Sequence, residues 1–260
     1  MLFAVIFGCT ASKPLNYSTT QERITFGFLS EGEINSLLND AQRIKDPGER
    51  IAFISEKFLG TPYMEHTLVG GVDREEMLVV NLMGVDCFTY IDYIEALRLS
   101  RDFREFKQNL ALVRYEGGRV SYTSRNHFFT DWSRRSQNRI QDVTQKMGLF
   151  RTRTAKKRLN LRGDGTLLLP GVAVQSVVIH YIPSSLVDEA ITKRLKSGDY
   201  IGIFTEAEGL DVSHTGIFIR KGDRTYLRHA SSREGAQRVV DDDFKQYISS
   251  KPGIVVLRAK

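Results

Sequence analysis

The segment Ser213 to Ser231, SHTGIFIRKGDRTYLRHAS, constrains the fold more than any other part of the chain. Two apolar runs flank the turn-forming pair Gly222-Asp223, which predicts two antiparallel strands joined near residue 222. His214 opens the first strand, and His229 follows 15 residues later on the return strand. Such a hairpin brings the two histidines close to opposite each other. Side chains alternate faces along a strand, so both can share one face. Further strand-like runs lie at Val177 to Ile182, Tyr200 to Thr205 and Ile254 to Leu257. A helix is expected over Leu186 to Leu195, and another from about Asp241 to Ile248.

The first half of the chain reads as helical. Ser30 with Glu33 forms a capping-box signal, and Ile34, Leu37, Leu38, Ala41 and Ile44 recur at helical spacing. Asp46-Pro47 marks a second start, with Ile51, Ile54 and Phe58 as its buried face and Gly60 to Tyr63 as its break. A short apolar run covers Met77 to Leu82. Helices are expected from about Asp86 to Arg101 and from Phe103 to Val113. Residues 127–135 also suit a helix, and residues 151–165 are basic and punctuated by glycine. Helices followed by an antiparallel meander make an α+β pattern.

The chain has two cysteines, Cys9 and Cys87, and each has a reading of its own apart from a disulfide. Cys87 falls in VDCFTYIDYIEAL, at the first turn of a helix whose N-cap is Asp86 and whose buried stripe is Ile91, Ile94 and Leu97. A helix N-terminus carries partial positive charge and free N–H groups, which favour a thiolate and can hold an oxyanion. A lone cysteine is more often a small buried hydrophobe. The two histidines alter that balance, because a cysteine nucleophile needs a base beside it and a third group to orient the base. Two histidines and a cysteine could also bind zinc, but no close Cys/His cluster or His-Glu helix motif accompanies them. The chemistry expected calls for no metal and no cofactor.

At these residues the sequence resembles the NlpC-type papain-like cell-wall hydrolases. Asp86-Cys87 corresponds to the nucleophile at a helix start, His214-Thr215-Gly216-Ile217 to the strand with the base, and His229-Ala230 to the third catalytic group. LGTPY at 59–63 and LKSGDYIGIF at 195–204 match in the same order. The interval from Cys87 to His214 is long for that family, which makes residues 102–185 an insertion within the core. LVVNL at 78–82 and HFFTDW at 127–132 resemble the N-acetylmuramoyl-L-alanine amidase-like branch. The resemblance implies a papain-like core, its nucleophile helix packed on an antiparallel sheet, within one catalytic domain over 21–260. It implies cleavage of the amide between N-acetylmuramic acid, in its 1,6-anhydro form or not, and L-alanine of muropeptides. A γ-D-glutamyl–diamino acid endopeptidase is the alternative within the superfamily, and a non-catalytic envelope-binding module the alternative outside it.

Substrate contacts are expected from Tyr63, by resemblance, and from Arg125, Asn126, His127 and Trp132 in the insertion. Arginine can pair with a carboxylate, and tryptophan offers a face to a sugar. HFFTDW is equally a good amphipathic packing segment, and Asp86 is as readily a helix cap as a substrate contact. The opening MLFAVIFGC resembles the tail of a bacterial lipoprotein signal without its positive n-region, with Cys9 as the lipid anchor and residues 10–20 as a tether. That reading implies the periplasmic side of a bacterial envelope. The formal net charge of +6 favours anionic partners. The basic run Arg151, Arg153, Lys156, Lys157, Arg158 and Arg162 has no nucleic-acid motif or aromatic interleaving, so peptidoglycan fragments are the expected partner and nucleic acid is not.

Overall fold

The computed structural model describes residues 21–135 and 139–260. Cys9 and the lipoprotein-like segment lie outside the described residues. Strand β1 (Glu22–Thr25) leads to helices α1 (Glu31–Ala41) and α2 (Pro47–Glu56). Both helices start as their sequences direct. Ser30 and Glu33 cap each other reciprocally, and the Asp46 side chain accepts from the Glu49 N–H ahead of Pro47. Past the end of α2, Gly60 adopts φ +88°, a left-handed conformation that turns the chain toward the site. Strand β2 (Leu78–Asn81) pairs in parallel with β1.

Helix α3 (Cys87–Arg98) is the centre of the molecule, and α4 (Phe103–Arg114) packs beside it. A single buried stripe is too modest a description of α3, since every residue from Thr89 to Arg98 is buried. Its acidic residues remain inside because each has a cation: Asp92 meets Arg114 at 2.8 Å, and Glu95 meets Arg98 at 2.6 Å. Next come α5 (Phe129–Arg135), β3 (Ile140–Asp142), α6 (Thr144–Gly148), β4 (Arg153–Leu159), β5 (Gln175–Pro183) and α7 (Glu189–Arg194). Strands β6 (Tyr200–Phe204), β7 (Val212–Lys221), β8 (Arg224–Ser231) and β9 (Arg238–Asp243) form the meander, followed by α8 (Phe244–Ile248) and β10 (Gly253–Ala259).

The main sheet is antiparallel, in the order β4-β5-β10-β6-β7-β8-β9, with β3 also paired to β10. One face packs on α1 to α5 through Ile91, Ile94, Phe106 and Trp132. The other packs on α6, α7 and α8 through Met147, Ile191, Phe244 and Ile248. The basic run 151–165 supplies β4, whose residues alternate in exposure and pair with β5, so most of its cations do face solvent. The expected helix over 241–248 is corrected at its start, where residues 241–243 belong to strand β9. Three consecutive aspartates are poor strand formers, but Asp241 pairs with the buried Arg228 at 2.7 Å and that partner holds the strand.

Candidate active site

Cys87 is the first residue of α3, set by its N-cap. The Asp86 carboxylate accepts from the N–H groups of Phe88 and Thr89, at 2.9 and 2.7 Å, and from the Thr89 hydroxyl at 2.9 Å. Asp86 is therefore a helix cap. It also uses up two of the donors expected to favour a thiolate. The Cys87 N–H has no backbone or side-chain oxygen partner among the described residues. On the sheet side, the Thr215 hydroxyl donates to the Cys87 carbonyl oxygen at 2.7 Å, tying the thiol's residue to β7 one position past His214.

The hairpin register fixes the histidines. Ile217 pairs with Arg228, which puts Gly216 opposite His229 and leaves His214 diagonal to it. The histidines are thus neighbours on one face, one step off direct opposition. A Cβ on Gly216 would come within 2.8 Å of Leu227 and 3.0 Å of the His229 Cβ. Glycine keeps that position clear, and the His214 ring reaches across it so that its Nε2 lies 2.7 Å from His229 Nδ1. A second diagonal step follows. Leu227 pairs with Asp242, and His229 Nε2 meets the Asp242 carboxylate at 3.0 Å, which Arg233 also contacts at 2.7 Å.

This chain of groups sets the tautomers. A carboxylate only accepts, so His229 carries its proton on Nε2 and offers Nδ1 as an acceptor. His214 Nε2 must then donate, which leaves His214 Nδ1 without a proton and able to act as a base. His229 is 1% exposed, and Tyr247 from α8 packs edge-on to it with ring centroids 4.8 Å apart. Burial, and then the neighbouring charges of His229 and Lys251, pushes the His214 pKa down to about 3. Burial also lowers His229, against the opposing pull of Asp242.

Cys87 keeps some exposed surface but is hemmed in by protein on most sides. Burial, followed by the Asp86 charge, pushes its thiol up to about 11, while hydrogen bonding from Thr215 acts the other way. Both shifts favour the neutral forms, a thiol at Cys87 and an imidazole at His214, over the thiolate that the helix terminus alone suggests. Among the described residues no cluster of three His, Cys, Asp or Glu side chains could hold a metal ion.

The other expected site residues separate into two groups. Tyr63 is half-buried, is bridged to Val85 just before Asp86, and has its pKa raised to about 12 by burial and then by the nearby Cys87 charge, so it does flank the thiol. The insertion residues are engaged elsewhere. The Arg125 guanidinium is bound to the buried Glu76 at 2.6 Å. Asn126 is buried and donates to the Val113 carbonyl at 2.9 Å. His127 bonds the Tyr122 carbonyl oxygen at 2.8 Å, with its pKa pushed down to about 4 by burial. Trp132 is 1% exposed and sits in the core edge-on to Phe88 and Tyr200, with no face left for a sugar. The reading of Trp132 as a stacking platform is thus corrected in favour of packing.

Asp242, Arg233, Tyr247 and Lys251 were not legible as site residues. The only available signal was period-two alternation from His229 to the strand after it, and that strand read as a helix. A cavity of about 600 Å³ opens here, lined by His214, His229, Arg233, Asp242, Tyr247 and Lys251 among others. A cavity of similar size, about 630 Å³, lies at β4 and β5 around Lys157, Tyr181, Phe204, Glu206 and Glu208, without a cysteine or histidine in its wall.

Fold and site together define a mixed α/β protein with an antiparallel sheet, in which Cys87 at a helix start is tied through its carbonyl oxygen to the strand that carries His214, the first member of a His–His–Asp chain. The chain belongs to the N-acetylmuramoyl-L-alanine amidase-like (AmiA-like) family, whose model matches residues 53–254. Similar solved structures include a Legionella pneumophila protein, 24% identical with a TM-score of 0.73, over 88% of this chain and 94% of that one. An N-acetylmuramoyl-L-alanine amidase of Bacteroides uniformis is 28% identical with a TM-score of 0.66, over 88% of this chain and 100% of its own. A protein of Bacteroides fragilis described as a putative xylanase is 30% identical with a TM-score of 0.63, over 78% and 98%. Comparison with curated proteins gives no match.

Proposed function

We propose that this protein is a cysteine amidase with an NlpC-type papain-like core over residues 21–260. In this reading it cleaves the amide between N-acetylmuramic acid and L-alanine in muropeptides. The observation that carries it is the His214–His229–Asp242 chain, which leaves His214 Nδ1 as a free base beside the residue that anchors Cys87. Membership in the amidase-like family supports the substrate class.

His214 Nδ1 takes the thiol proton as Cys87 sulfur bonds to the lactyl carbonyl carbon, and the carbonyl oxygen becomes an oxyanion facing the Cys87 N–H. Collapse breaks the C–N bond, and His214 returns the proton to the leaving amine of L-alanine. Water then attacks the thioester with His214 as base, releasing the lactyl carboxylate and restoring the thiol. His229 and Asp242 hold the tautomer and stabilise the transient imidazolium.

The test is mass spectrometry of products from defined muropeptides, with Cys87→Ala as control. Free sugar plus a peptide beginning with L-alanine is expected, and none from Cys87→Ala. A sugar still bearing L-Ala-D-Glu identifies the endopeptidase, and activity surviving in Cys87→Ala refutes the cysteine mechanism. Lipid anchoring at Cys9 on the periplasmic side of the envelope belongs to the same proposal. It predicts incorporation of labelled palmitate that disappears in Cys9→Ser.

A further inference from the structure

The cavity beside the relay has a wall that the hydrolytic steps do not use. Lys251 lies in it with its ammonium 5.4 Å from the centroid of the Tyr247 ring, and that ammonium makes no ion pair or hydrogen bond among the described residues. Arg233 shares the wall and spends one nitrogen on Asp242 while its side chain stays 62% exposed. The carboxylates here are already engaged. Asp242 serves His229 and Arg233, and Asp243 caps α8 by accepting from the Gln246 N–H at 2.8 Å. Serine hydroxyls of Ser231 and Ser232 also line the space. One cation with no ion pair or hydrogen bond among the described residues and another with donors to spare, in a cavity of about 600 Å³, suit a small anionic ligand.

The chemistry of the relay says which part of the substrate enters. His214 protonates the leaving nitrogen, so that nitrogen must sit against the imidazole, and the chain attached to it continues along the histidine wall. That chain is the peptide, and the sugar lies on the other side of the thiol. Next after the alanine stands a γ-linked glutamate, whose α-carboxylate is free. One extended residue advances the chain by about 3.5 Å, so this carboxylate falls within about two residue lengths of the scissile nitrogen. We propose that Lys251, with Arg233, forms a carboxylate subsite that recognises the free α-carboxylate of the second peptide residue. This inference rests on the amidase reading for the orientation of the ligand. It also gives Lys251 a part in timing. Its charge opposes protonation of His214 in the free protein, and a bound carboxylate would relieve that opposition when substrate is in place.

Lys251 is the cleaner probe, because substituting Arg233 disturbs Asp242 as well. Calorimetric binding of L-Ala-D-Gln, whose side-chain amide stands for the γ-linkage and whose α-carboxylate is free, and of its α-amide should show the wild-type protein favouring the acid by about tenfold. Lys251→Met should lose that preference by weakening acid binding alone, and Lys251→Arg should retain it. Equal binding of acid and amide by the wild type, including no detectable binding of either, overturns the subsite, as does a preference that survives in Lys251→Met. Turnover is read separately on the muramyl forms of both dipeptides. Cleavage without discrimination keeps the amidase reading and removes the subsite. Selective binding of the acid with no cleavage does the reverse.

Discussion

Replacing Asp242 by alanine removes the charge that ends the histidine chain, and the expected loss follows from the geometry. Hydrogen bonds of 2.7 and 3.0 Å join His214 to His229 and His229 to Asp242. With the width of one imidazole between them, the carboxylate lies roughly 8 Å from His214 Nε2. At an effective dielectric of about 20, an imidazolium at His214 then gains ~2 kcal/mol from Asp242, equivalent to about 30-fold in rate. Asp242→Ala should lower kcat/KM on a muramyl-L-alanine substrate by about that factor, and by more if the His214 tautomer also drifts. The assay is run in a Cys9→Ser background, so that alkylation of Cys87 as the sole thiol gives a readout independent of the bond cleaved. The pH profile separates relay from scaffold. Loss of a negative charge weakens protonation of His214, so the acid limb should move to lower pH while the plateau falls. A loss below about threefold, or a fall in rate without movement of the acid limb, would refute the relay.

Removing the Asp86 charge by Asp86→Asn should lower the Cys87 pKa from its value of about 11, because that charge is the second cause of the rise after burial; asparagine still caps the helix, and the pH dependence of iodoacetamide labelling reads the shift. Gly216→Ala should force β8 away at His229, costing about 1–3 kcal/mol in denaturant melts and lowering turnover together with stability. Trp132→Ala should destabilise the fold by about 3–5 kcal/mol with little change in KM, whereas a selective rise in KM would restore the sugar-stacking reading. Folding stability should fall as pH drops below 6.5. The folded-state pKa values of His214 and His127 are depressed to about 3 and 4, so the unfolded chain binds protons there that the folded chain refuses. Urea midpoints between pH 7 and 4 measure this, and a flat profile counts against neutral buried histidines.

The residues whose local chemistry determines their structure were legible in the sequence. Ser30, Asp46 and Asp86 cap helices as their neighbours require, and the Gly222-Asp223 turn fixes which histidine faces which. The His214–His229 pairing followed from that register, whereas joining Cys87 to it rests on a family resemblance. Features that depend on partners distant in sequence were not legible. Strand β9 forms because Arg228 donates to Asp241, and Asp242 reaches His229 only once that strand is paired. The segment around Trp132 shows the converse. Its polar and aromatic residues suit a binding surface when read alone, yet Arg125 is claimed by Glu76 and Trp132 by Phe88 and Tyr200.

The same distinction bears on how the thiol is activated. A cysteine at a helix N-terminus suggests that the helix lowers its pKa, and that inference fails here for a specific reason. The cap that starts the helix is itself an anion. Asp86 both occupies the Phe88 and Thr89 N–H groups and places its charge beside the thiol, so the local device that positions Cys87 also opposes its ionisation. In the proposed mechanism, proton removal then depends on a base held ready and on stabilisation of the imidazolium as it forms. His214 is held ready by the diagonal chain to His229, and the stabilising charge comes from Asp242, three strands into the meander. In such an arrangement the thiolate appears only as the carbonyl is attacked, and a thiol at rest is protected from adventitious oxidation, which proceeds through the thiolate. Hydrogen peroxide should therefore oxidise Cys87 slowly at neutral pH and faster in Asp86→Asn. Rapid oxidation of the wild-type thiol, followed by peptide-resolved mass spectrometry, would show instead that a preformed ion pair is present.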